Sequence, residues 1–171
     1  MSRVRTGAGM SGALAASSRL PGPERLVGFG FRLWLNGFRT GDIASWEKAW
    51  CAYASTIGAT AAKIAVGELS SWVCAINCTA QRRLETSPNA SDWFCRDERV
   101  AIAMIAACQH HACPAMRACA FALLGCSMID EVVEGAESFA RTLHHADQIL
   151  LPASADAASL LTMPAATASR H

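Results

Sequence analysis

The octapeptide VAIAMIAA at residues 100–107 constrains the fold of this chain more than any other stretch. It lies in an expected helix over 97–112, in which every residue from Val100 onward is apolar except Gln109, His110 and His111. A helix with no polar face must be covered on all sides, so it belongs at the centre of a helical bundle. The composition agrees: 52% of residues are hydrophobic and 17% charged, against a usual charged share of roughly 25%. The excess is mostly alanine rather than β-branched residues, which suits closely packed helices better than strands.

Around that centre the sequence predicts an all-α, single-domain bundle of about five to six helices. A first helix runs from Pro23 to about Phe38, with proline in its first turn and three glycines, Gly28, Gly30 and Gly37, weakening it. A second starts after Asp42 as N-cap and stacks Ile43, Trp46, Trp50, Tyr53 and Ile57 on one face. Gly58 ends it, and a third follows from Thr60 to about Glu85. The TSPNAS segment at 86–91 is the clearest loop. Pro114 opens a short helix that Gly125 closes. Ser127 followed by Asp130 resembles a capping arrangement for a last helix that buries Ile129, Val132, Val133, Ala136, Phe139, Ala140 and Leu143. The bundle is thus expected over 23–150, between a basic disordered tail at 1–22 and an Ala/Ser-rich disordered tail at 151–171.

The net charge of +1 provides no overall field for nucleic acid or an acidic membrane, but the charges are segregated. Arg3, Arg5, Arg19, Arg25, Arg32 and Arg39 face only Glu24 in the first 41 residues. Asp130, Glu131, Glu134, Glu137 and Asp147 face only Arg141 near the end. The sequence around Gly125 superficially resembles a helix-turn-helix. Its second helix, over 127–145, would present carboxylates to phosphate, so DNA binding through it is not expected. No uncharged run reaches the roughly 20 residues of a membrane span. The opening is too polar and glycine-rich for a signal peptide, and a cytoplasmic location is expected.

Eight cysteines in a chain of this length, several inside apolar helical patterns, read as reduced thiols rather than a disulfide framework. Two Cys/His pairs have helical spacing: Cys74 with Cys78, and Cys108 with His111. Together they would supply a Cys3His set for zinc or copper. Helical phase puts Cys108, Cys119 and His111 toward the core. Cys74 and Cys78 fall on the polar side, opposite Leu69, Val73 and Ile76, where a thiolate is free to react or bind metal. His144 and His145 sit in a last turn, where imidazolium meets the helix dipole favourably. No phosphate loop, dinucleotide fingerprint, nucleophile elbow or zinc-protease motif occurs. The expectation is a non-enzymatic protein that binds or regulates a protein partner, or its own copies, through helix surfaces. A thiol-based metal or redox protein is the alternative.

Overall fold

Seven α-helices are present in the computed structural model, which describes residues 20–162. In order they are α1 (Gly22–Thr40), α2 (Ile43–Ile57), α3 (Ala59–Thr79), α4 (Arg96–Gln109), α5 (Cys113–Leu124), α6 (Asp130–His145) and α7 (Pro152–Thr162). There is no strand among the described residues. α4 is the axis: residues 100–107 are all buried, under α1, α5, α6 and α7. α3 lies on α6, and α2 bridges α1 and α3. Trp72 of α3 is wholly buried between Phe31 of α1 and Phe139 of α6, with ring centroids 5.8 and 5.7 Å away.

The helix ends follow the sequence punctuation in part. The Asp42 carboxylate accepts the Ala44 N–H (3.0 Å) as the N-cap of α2, and Gly41 and Gly125 close α1 and α5 in the left-handed conformation. α6, in contrast, has Ile129 at its N-cap and no side-chain cap, so the Ser127 arrangement does not form.

Two expectations are corrected in α1 and α2. The expected stripe on α2 splits: Ser45, Ala49 and Tyr53 are buried, whereas Ile43 and Trp50 are 64% and 38% exposed. The register is set by α1. A Cβ on Gly37 would overlap the Trp46 indole, and one on Gly30 would lie 2.6 Å from the Tyr53 hydroxyl. These glycines are therefore slots into which α2 aromatics descend, and Tyr53 completes its fit by donating to the Leu26 carbonyl (3.1 Å). Arg32, counted above with the basic head, is wholly buried and adds nothing to surface charge.

A third correction concerns 151–171, where α7 occupies Pro152–Thr162. It buries Ala155 and Ala158 against α4 and α5, an alanine contact that leaves no amphipathic signature. Its first turn is held by Glu24 of α1, which accepts the Leu151 N–H (2.7 Å) and the Ser154 hydroxyl (3.0 Å). The stretch 163–171 and nearly all of the expected N-terminal tail lie outside the described residues. α3 is, among the described residues, the one helix long and apolar enough to cross a membrane by length and composition. In the bundle it buries Ala62, Ala65, Val66, Leu69, Trp72, Val73, Ala75 and Ile76.

Candidate functional site

The connection 80–95 between α3 and α4 has no helix or strand of its own, yet it is held by side chains of α1 and α4. Arg32 reaches it from α1 through the core. Its Nε donates to Glu98 Oε1 (2.7 Å) and one Nη to Oε2 (3.2 Å). The remaining donors go to the carbonyls of Pro88 (3.2 Å), Ser91 (2.8 Å) and Trp93 (2.6 Å). All five guanidinium donors are thereby satisfied. Phe94 lies against the guanidinium, 5.0 Å from ring centroid to Cζ. Glu98, on the first turn of α4, also accepts the Ser87 N–H (3.0 Å), the Ser87 hydroxyl (2.9 Å) and the Cys95 N–H (2.8 Å). Both side chains of the pair are 0% exposed. A buried ion pair offsets its desolvation only when its remaining donors and lone pairs are also matched, as they are here.

A second carboxylate repeats the pattern at the rim. Asp97 accepts both terminal nitrogens of Arg82 and the Glu85 N–H (2.8 Å). Arg82 also donates to Ala122 (2.9 Å), and Arg39 to Leu84 (2.8 Å). The connection is thus tied to α1, α4 and α5. It presents Trp93 at 60% exposure on the edge of a cleft of about 540 Å³, lined also by Arg39, Arg83, Leu84, Glu85, Thr86 and Cys95. Partial burial and the neighbouring Arg83 charge lower the Arg39 pKa, so two cations share this cleft. Burial raises the Cys95 thiol, which donates to the Glu85 carbonyl (3.1 Å).

The expected ligand set Cys74, Cys78, Cys108 and His111 is not gathered. Among the described residues no group of three or more His, Cys, Asp or Glu side chains is placed to hold a metal ion. The two pairs stand on helices that do not meet, because α3 packs on α1, α2, α5 and α6 but not on α4. α4 stops at Gln109, and His111 takes a left-handed conformation (φ 56°), so Cys108 and His111 do not share a helical face. The Ala112 N–H bonds Ala107 (2.8 Å) and the His111 N–H bonds Cys108 (3.3 Å), a Schellman closure with histidine where glycine is usual. His111 is exposed rather than core. With Cys108, Gln109, Glu137, Ala140, Arg141 and His144 it lines a second cavity of about 390 Å³. Burial, then Glu137, Cys119 and Cys113, push the Cys108 thiol up to about 12, which keeps it protonated at neutral pH. Gln109 is fully engaged: its amide donates to Ala140 (3.2 Å) and Gln148 (2.9 Å) and accepts from Leu150 (2.8 Å).

Cys74 and Cys78 are exposed on α3, as helical phase indicates, with sulfurs 4.0 Å apart. Desolvation, then Cys78 and Glu131, raise the Cys74 thiol. Cys119 is wholly buried in the core.

Compared with known proteins, the chain matches no family, no curated protein and no solved structure. The braced connection was missed in the sequence because its partners lie 66 residues apart. One signal was available: Arg32 falls between Gly28 and Leu35 on the buried side of α1, where a lone cation requires a buried anion.

Proposed function

We propose that the chain is a non-enzymatic binding protein that recognises an acidic segment of a protein partner through the 80–95 connection. The observation that carries this reading is the use of every Arg32 donor and both Glu98 oxygens, deep in the core, to hold an irregular surface segment in one conformation. Such bracing holds the segment rigid, and loops positioned by a rigid scaffold are where recognition concentrates. What the connection displays fits that role. Trp93 is a large exposed aromatic, and Arg39 and Arg83 stand beside it. Tryptophan and arginine are the residue types that dominate binding energy at interfaces. The alternative reading as a thiol-based metal protein keeps one supporting observation, the approach of Cys74 to Cys78.

The test is co-purification from native extract with the full chain as bait. Trp93→Ala and Arg83→Glu should each weaken capture of the same partner, by about 30-fold for Trp93→Ala if it removes some 2 kcal/mol. Reversing Glu131, Glu134 and Glu137 together should leave it unchanged. Loss of the partner on reversing the α6 carboxylates, with Trp93→Ala neutral, would move the contact to α6 and overturn the reading.

A further inference from the structure

Two exposed thiols four residues apart on a continuous helix are constrained by helix geometry before any chemistry is considered. Residues i and i+4 hold their Cβ atoms about 5–6 Å apart, whereas a disulfide needs about 3.5–4.5 Å. Cys74 and Cys78 lie within unbroken α3, so joining them would require the helix to unwind locally. Their sulfurs nevertheless approach to 4.0 Å. With metal–sulfur bonds of about 2.3 Å, two thiolates on one ion lie about 3.8 Å apart at a tetrahedral angle and at most about 4.6 Å apart when opposed. The observed sulfur spacing of 4.0 Å falls inside that interval and is about twice the roughly 2.05 Å of an S–S bond.

We propose that Cys74 and Cys78 form a two-thiolate site for Cu(I). Zinc in a structural site takes four protein ligands, and no third His, Cys, Asp or Glu joins this pair among the described residues. Cu(I) is soft, prefers thiolate, and is satisfied by two such ligands. The surrounding charge is compatible, because Glu131 of α6 is the charged group felt by Cys74 and it favours a cation. Binding makes two sulfur–copper bonds and releases the two thiol protons to solvent; copper stays monovalent and no electron moves. The site is independent of the 80–95 connection.

Titration of the full chain without oxygen, with Cu(I) supplied by the chromophoric chelator bicinchoninate, tests the site. The wild-type chain should draw one equivalent from the chelator and show thiolate-to-copper absorption in the near ultraviolet that saturates at that equivalent. Cys74→Ser and Cys78→Ser should each abolish both signals with unchanged circular dichroism. Replacement of the other exposed cysteines, Cys51→Ser with Cys113→Ser, should leave both intact. Copper that is not drawn, or is drawn equally by Cys74→Ser and Cys78→Ser, overturns the proposal. So does equal retention of zinc in the same competition. A Cys74–Cys78 disulfide formed on mild oxidation with helicity intact would overturn its geometric basis.

Discussion

Arg32 and Glu98 illustrate how one pair of side chains fixes a distant stretch of backbone. Removing one partner of a buried, fully bonded ion pair leaves the other charge uncompensated, at a cost of about 3–5 kcal/mol. Arg32→Met should therefore lower the urea midpoint of unfolding steeply, and a loss under 1 kcal/mol would mean the pair is not desolvated as described. The same scale contains a stabilising substitution. His111 holds a left-handed conformation that costs a side chain about 1 kcal/mol relative to glycine. His111→Gly should raise the urea midpoint by a comparable amount; a fall would show that the imidazole makes contacts in its cavity that outweigh the backbone cost. Thiol titration gives a third prediction. Cys108 and Cys119 are raised from about 9 to about 12 by burial. Below pH 9 both folded and unfolded chains keep these protons; between 9 and 12 only the folded chain does, so stability is full below 9 and falls as pH rises. Tyr53, also raised by burial, adds the same sign at higher pH. Denaturation at pH 8 and pH 10.5 should show this fall, and Cys119→Ala should reduce it.

The helices differ in what specifies them, and this decides what was legible in the sequence. α4 announces itself, because an all-apolar helix has one place to go. α6 does so through its sharp division between Val132, Val133, Ala136, Phe139 and the exposed Glu131, Glu134 and Glu137. α2 was legible as a helix but not in its orientation. Its inward face is chosen by Gly30 and Gly37 on α1, and such slots are visible only once both helices are placed. Gly37→Ala should accordingly destabilise by about 1–3 kcal/mol through overpacking against Trp46. It should also alter the near-ultraviolet tryptophan signal; an unchanged spectrum and midpoint would refute the slot. α7 was not legible at all, since small residues bury little and its N-terminal donors are met by Glu24, more than a hundred residues earlier. Glu24→Ala should speed amide exchange across 150–162 and leave α4 untouched.

At the scale of the whole molecule, the bundle is a scaffold whose layers converge on one irregular surface segment. The class and centre of the fold follow from hydrophobic periodicity. The braced connection does not, because it depends on charges that α1 and α4 bring together through the core. The expected Cys3His set does not form for a related reason: spacing along the chain pairs cysteines within a helix but does not say which helices meet, and α3 makes no contact with α4, which itself ends at Gln109 before His111. Amide hydrogen exchange on the full chain, wild type against Glu98→Gln, measures the bracing most directly. Slow exchange in the wild type at Ser87 and Cys95, whose N–H groups Glu98 accepts, is the predicted result. Both should lose protection in Glu98→Gln while Met104, at the centre of α4, keeps it. Fast exchange at Ser87 and Cys95 in the wild-type chain would contradict a connection held in one conformation, and with it the recognition role proposed for that connection.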